Sequence, residues 1–140
     1  MGKLTIDAFM TRNPTTTEAT RDLTAALELM RSQHIRHLPV LVDGKLAGIL
    51  SERDAEVALA SGGSQLKVGS VMVTDPFTIA SHSSLEWVAM IMAERKCGSV
   101  LVVEEGEVVG VFTTTDALHA LEQLLARSRR RRTPAAERRH

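Results

Sequence analysis

The sequence predicts an α/β protein made of two β-α-β-β-α repeats packed as a pseudo-twofold pair, and three observations predict it. Shifted against itself by 62 positions without a gap, the chain pairs Met10 with Met72, Pro14 with Pro76, Leu23 with Leu85, Met30 with Met92, Val40 with Val102, Gly48 with Gly110 and Asp54-Ala55 with Asp116-Ala117. Within each copy the apolar spacing changes from extended to helical, back to extended, and to helical again. Each copy also places an acidic residue and a glycine, Asp43-Gly44 or Glu105-Gly106, between two apolar runs, the mark of a tight hairpin. Two copies suit a pair and are too few for a solenoid.

Taken in order, each copy opens after Pro14 or Pro76 with a short Thr-rich extended piece, residues 15–18 or 77–80. A helix follows, with Leu23, Ala26, Leu27 and Met30 at helical spacing in the first copy and Leu85, Val88, Ala89 and Met92 in the second. Ser83 and Glu86 have the spacing of a capping box at the second helix start. The runs Leu38–Val42 and Val100–Val103 are too short and β-branched for helices and read as strands. The hairpin turns lead into second strands, Leu46–Leu50 and Val108–Phe112, and a final helix begins near Asp54 or Asp116. The middle strands are apolar on both faces, so helices should cover them. The division expected is repeat 1 over residues 1–62, repeat 2 over 63–126, with residues 61–66, Ser-Gly-Gly-Ser-Gln-Leu, as a flexible link.

The chain of 140 residues is 44% apolar and 24% charged, enough to bury its own core. Only 3% of residues are aromatic, so Leu, Val, Ile, Met and Ala must fill that core. No apolar run approaches the roughly 18 residues a membrane span requires. Met1-Gly2-Lys3-Leu4 lacks a secretory apolar region, Ile6 stands where a myristoylation signal needs Ser or Thr, and Cys97 has no second cysteine to pair with. A reducing, cytoplasmic setting is the expectation. The formal net charge of zero hides a division: residues 127–140 hold seven arginines and one glutamate, net +6, leaving −6 on the rest. That basic tail, with Pro134 and few apolar residues, is expected to be disordered.

Two heptapeptides carry the functional signal: Gly48-Ile49-Leu50-Ser51-Glu52-Arg53-Asp54 and Gly110-Val111-Phe112-Thr113-Thr114-Thr115-Asp116. Each ends a strand and opens a helix, where free backbone N–H groups and the positive helix end favour phosphate. The Ser or Thr hydroxyl adds a donor, and the carboxylate three residues on can accept from both hydroxyls of a ribose. Glycine would permit close backbone approach to a flat base. One copy alone is explained by ordinary helix capping. The same seven-residue pattern twice, each after a hairpin, favours a ligand site.

With its Arg36-His37-Leu38-Pro39-Val40 strand start and its two Gly-apolar-apolar-Ser/Thr-x-x-Asp endings, the repeat pair resembles a tandem CBS-domain (Bateman) module over about residues 7–126. The resemblance implies a regulatory, non-catalytic module that binds adenine nucleotides (AMP, ADP or ATP) or related adenosyl ligands in clefts between the repeats, with no further cofactor required. It also implies a disc-like homodimer. Position by position, it implies one cleft in which Asp116 holds a ribose and Thr113 and Thr115 contact phosphate. Val111 belongs to that cleft, and Thr16, Ile35 and Arg36 close around the base. The pseudo-symmetric cleft would take Asp54, Ser51 and Arg53, with His37 near phosphate, and Thr78, Cys97 and Gly98 from the second repeat. Arg36-His37 is replaced by Gly98-Ser99 in the second copy, so the two clefts should differ.

The remaining candidates read more plainly. His34, His37, His82, His119 and His140 have no metal-ligand spacing, so no metal site is expected. Cys97 reads as a small packing residue rather than a nucleophile, and no phosphate-binding loop or nucleophile elbow is present. As a general base only Asp54 or Asp116 would qualify, and an enzyme is not the expectation. The helix around Trp87-Val88-Ala89-Met90-Ile91-Met92 is apolar nearly all round, which points to a homodimer contact through Trp87, Met90 and Ile91. With no effector domain in view, a separate effector protein should read the module. The alternative is a nucleic-acid-binding protein that uses Arg129–Arg132, the repeat pair serving as a dimer scaffold.

Overall fold

A computed structural model of the protein describes residues 4–62 and 65–132. After a short 3-10 turn at Ile6–Ala8, the elements run β1 (Thr11–Arg12), β2 (Thr17–Glu18), α1 (Leu23–Gln33), β3 (His37–Val42), β4 (Lys45–Ser51) and α2 (Glu52–Gly62). They continue with α3 (Val68–Val71), β5 (Val73–Thr74), β6 (Thr78–Ile79), α4 (Leu85–Arg95), β7 (Ser99–Glu104), β8 (Glu107–Thr113) and α5 (Thr114–Arg132). This is the α/β repeat pair the sequence predicts. At both hairpins the two central residues have positive φ, Asp43 52° with Gly44 77° and Glu105 50° with Gly106 82°, as a right-twisted two-residue turn requires.

The strands form two four-stranded sheets, ordered β2-β3-β4-β5 and β1-β8-β7-β6. In each, a parallel edge strand and an antiparallel hairpin come from one repeat, and the fourth strand comes from the other. Thr11 and Arg12 pair with Val111 and Gly110, while Val73 and Thr74 pair with Ile49 and Gly48. The two cores follow the same exchange. Val68 packs with Leu23, Met30, Leu38, Val40 and Leu50, whereas Ile6 and Met10 pack with Val88, Val100, Val102 and Phe112. The leading segment of each repeat therefore completes the other repeat's core. Backbone bonds secure it: Leu23 N–H to Leu66 O at 2.9 Å, Val68 N–H to Arg21 O at 2.9 Å, and Ile6 N–H to Ser83 O at 2.8 Å.

The exchange gives the motif glycines a different role from the one the sequence suggested. A Cβ on Gly48 would lie 2.6 Å from the Val73 carbonyl and 2.8 Å from Met72 Sδ, and one on Gly110 would lie 2.5 Å from Met10 Sδ and 3.1 Å from the Thr11 carbonyl. These glycines admit the exchanged edge strands rather than a ligand base.

Three local expectations need correction. The link expected over residues 61–66 is shorter, because α2 runs through Gly62 and Leu66 is already bonded to Leu23, while residues 63 and 64 lie outside the described residues. At α4 the cap is Ser84, whose Oγ accepts from Trp87 N–H at 3.2 Å, one residue after the expected Ser83. The tail expected to be disordered from residue 127 is helical through Arg132. Arginine is a good helix former, half-buried Leu124 anchors the preceding turn on the second core, and cations suit a helix C-terminus. Residues 133–140 lie outside the described residues. Among those described, no helix is long and apolar enough to cross a membrane.

Candidate functional site

A cavity of about 670 Å³ opens between the repeats, within the size range of small-molecule sites. Its first-repeat wall comes from Thr11, Asn13, Pro14 and Thr15 and from the turn after α1, Gln33 to His37. The second-repeat wall comes from Gly98, from Val111 and Thr113 on β8, and from Thr114, Thr115, Asp116 and His119 on α5. Strand alternation builds that wall, since Gly110 and Phe112 are buried while Val111 and Thr113 face the cavity. One helical turn then brings Asp116 over Thr113, and a second brings His119 to the same side.

The second heptapeptide forms a helix cap at the cavity wall. Asp116 Oδ2 accepts from the Thr113 N–H at 2.9 Å and from the Thr113 hydroxyl at 3.1 Å, while Thr113 Oγ1 accepts from Asp116 N–H at 3.3 Å. Those bonds cap α5. The other oxygen, Oδ1, accepts from the Thr11 hydroxyl at 3.1 Å, across the repeat boundary and on an exposed side. Asp116 lines the cavity, and the partner of this oxygen is that exposed hydroxyl. At the first heptapeptide, Asp54 N–H donates to Ser51 Oγ at 3.0 Å, again a cap.

The cavity gathers Ile35, Arg36, Val111, Thr113, Thr115 and Asp116 as the sequence grouped them. Thr16 does not line it. Asn13 has φ 49° and β2 begins only at Thr17, so the irregular approach carries Asn13–Thr15 along the wall, with the Thr15 hydroxyl donating to Gln33 Oε1 at 2.5 Å. His37 and Gly98, grouped with the opposite cleft, line this cavity instead. Equivalent backbone bonds fix each strand start against the helix that follows in its own repeat, Glu52 N–H to Arg36 O at 2.8 Å and Thr114 N–H to Gly98 O at 3.0 Å. Of the set expected in the other cleft, Asp54 is near enough to His37 to act on its ring. Asp54 lies at a groove between α2 and α3 with Val57, Ser61 and Ser70, and Cys97 lies at another with Met92, Lys96 and Ala117. Ser51, Arg53 and Thr78 line none of these three.

Sequence reading missed Thr11, Asn13, Pro14, Thr15, Gln33, His34, Thr114 and His119. His119 was within reach, because it stands one turn after Asp116. His34 owes its place to a left-handed helix cap, φ 56°, that needs no side-chain signal. Burial pushes the His37 pKa down, the Arg36 guanidinium pushes it further down, and Asp54 opposes them. Among the described residues no cluster of three or more His, Cys, Asp or Glu could hold a metal ion.

Two α/β repeats that exchange their leading segments and enclose a cavity walled by both define a paired-repeat ligand-binding module. The CBS domain profile matches residues 6–61 and 68–123, and the chain belongs to the CBS-domain family, as a tandem pair. The chain is 35% identical over 114 residues to the inosine-5′-monophosphate dehydrogenase of Korarchaeum cryptofilum, covering 81% of this chain and 23% of that enzyme. The chain thus spans about a quarter of the length of the first curated relatives it matches. Among solved structures, an AcuB protein assigned to acetoin utilization in Vibrio cholerae superposes with a TM-score of 0.84 at 31% identity, covering 95% of this chain and 100% of that one. CBSX2 of Arabidopsis thaliana, solved in complex with AMP, superposes with a TM-score of 0.75 at 25% identity over 86% of this chain and 97% of its own. The CBS pair of MJ0100, solved with 5′-methylthioadenosine and S-adenosyl-L-methionine, shares the fold with a TM-score of 0.79 at 23% identity, over 87% and 98% of the chains.

Proposed function

We propose that this chain is a regulatory module that binds an adenine nucleotide, AMP, ADP or ATP, or a related adenosyl ligand, in the cavity between its repeats, and catalyses nothing itself. The observation that carries the reading is the cavity's construction from both repeats, with Asp116 Oδ1 bonded to Thr11 across the boundary. A ligand that replaces Thr11 at Asp116 favours one relative placement of the repeats over another, and a separate effector protein reads the difference as a population shift. The AMP bound to CBSX2 supports the ligand class. A reducing cytoplasm suits the lone Cys97.

Replacing Asp116 with alanine is expected to weaken AMP binding by roughly 1–3 kcal/mol, the scale of a lost pair of charge-assisted hydrogen bonds. Isothermal calorimetry reads this directly, and an affinity unchanged in the variant counts against the site.

The module acts as a homodimer in this reading, through the α4 face where Trp87 is 43% and Met90 48% exposed and Ile91 is half-buried. Trp87 is steadied edge-on against Phe77, with ring centres 6.4 Å apart, which keeps its outer edge presented. Trp87→Arg should move the sedimentation of a dimer to that of a monomer. A wild-type protein that sediments as a monomer removes the interface.

A second reading has its own observation. Arg127 and Arg129–Arg132 ride on a continuous helix, a compact basic surface for nucleic-acid phosphates. If RNA or DNA binding disappears on truncation after Ala126 while no adenosyl ligand binds the full chain, the module is a scaffold for that surface.

A further inference from the structure

Three histidines, His34 and His37 from the first repeat and His119 from the second, line the cavity beside Arg36. His37 belongs to the strand-start segment that carries the family resemblance, whereas His34 and His119 belong to none of the motifs read from the sequence. The charged groups facing them are few: Arg36 from the same turn, Asp54 from α2, Asp116 at the start of α5, and Glu122, whose Oε1 is 3.8 Å from His119 Nδ1. Among these groups one guanidinium faces three carboxylates, so protonation of the histidines is what turns the field in favour of an anion. Histidine is the side chain whose ordinary pKa, about 6.5, lets that field change within the physiological range.

We propose that the cavity selects adenosyl ligands by charge, taking those with an anionic phosphate over the neutral thioether or the sulfonium cation, and that His34, His37 and His119 strengthen this preference as the pH falls. The inference rests on the adenosyl-ligand reading of the cavity. A phosphate seated among the three rings stabilises their protonated forms, so binding takes up protons and tightens on acidification. In the empty site the burial of His37 and its neighbour Arg36 hold that ring neutral near pH 7, and a phosphate offsets both effects. A ligand without phosphate has nothing to gain from the same protons, and a sulfonium is repelled by them.

The test is calorimetric binding of AMP and of 5′-methylthioadenosine at about pH 7.5 and about pH 6, for the wild type and for the H34Q/H37Q/H119Q variant. One fully linked proton changes affinity by about tenfold per pH unit, so the AMP-to-thioether affinity ratio should rise by about fivefold or more in the wild type. The phosphate of AMP titrates in the same range, and the variant reports that contribution alone, so its ratio should stay level or fall. Should the triple variant not fold, H34Q/H119Q, changed at two exposed positions, carries the comparison and should lose most of the rise. If both ligands bind and the ratio is flat with pH, or rises equally in the variant, the charge-selection inference is overturned while the adenosyl site stands. If neither ligand binds at either pH, both fall.

Discussion

Phe112→Ala is expected to lower the unfolding free energy by about 3–5 kcal/mol, the cost of emptying a large aromatic site in a packed core. Phe112 is fully buried in a core cluster that draws Ile6 and Met10 from the first repeat's leading segment, Val88 and Met92 from α4, Val100 and Val102 from β7, and Ala120 from α5. Few of these can close the space. Ile6 is tied by a backbone bond to Ser83 of the second repeat, Met10 is tied to Ile6, and Val100 and Val102 are held in β7. Single domains have only about 5–15 kcal/mol in total, so the loss is a large share of the whole. It should appear in urea unfolding as a lower midpoint with an unchanged slope. Because the first repeat's own segment is part of this core, both repeats should unfold together; a biphasic curve, or a loss below about 1 kcal/mol, contradicts the packing described here.

Gly48→Val is expected to cost about 3 kcal/mol, the upper part of the range for overpacking a close contact. The obstruction is backbone: the Val73 carbonyl would lie 2.6 Å from the new Cβ, inside the β4–β5 pairing of Gly48 with Thr74. Flexible side chains can swing away, but Val73 can move only if β5 leaves the sheet, and β5 leads directly from α3 and Val68, which fills the first core. Gly62→Ala is the control. Nothing lies within 4 Å of its added Cβ, near the end of α2, and its stability should match or exceed the wild type by up to about 1 kcal/mol. If Gly48→Val and Gly62→Ala behave alike, the exchanged edge strand is not where the structure puts it.

Much of the fold was legible because its signals are local. The 62-residue self-match, the helical spacing of Leu23, Ala26, Leu27 and Met30, and the Asp-Gly turn that supplies two positive φ values each act within a few residues. The helix ends were less so. Ser83 and Ser84 are both acceptable caps by composition, and only the turn closed by Ser83 N–H on Ala80 O, at 3.0 Å, leaves Ser84 to accept from Trp87. At the C-terminus, net charge argued for disorder while residue-by-residue propensity argued for helix, and the anchor supplied by Leu124 favours the helix.

The site was half legible. Thr113 and Asp116 are three residues apart at a strand-to-helix junction, and their grouping follows from local spacing, whereas Thr115 joins them only through the family resemblance. Whether Thr15 or Thr16 faces the cavity depends on the left-handed turn at Asn13. That His37 lines the same cavity as Asp116 while still feeling the Asp54 carboxylate depends on how the two repeats meet, which local spacing does not give.

By itself, the sequence determined that there are two β-α-β-β-α units, where their turns lie, and which strand-to-helix junctions carry a carboxylate over a hydroxyl. Only the tertiary structure decided that each unit borrows its edge strand and part of its core from the other, and therefore that Gly48 and Gly110 serve packing and that one interrepeat cavity collects Arg36 with three histidines. The physical reason is that periodicity and turn chemistry are properties of neighbouring residues, whereas the two leading segments are near-copies facing two near-equivalent burial sites. Which one each fills is settled by chain reach and close packing, and neither is written in local spacing.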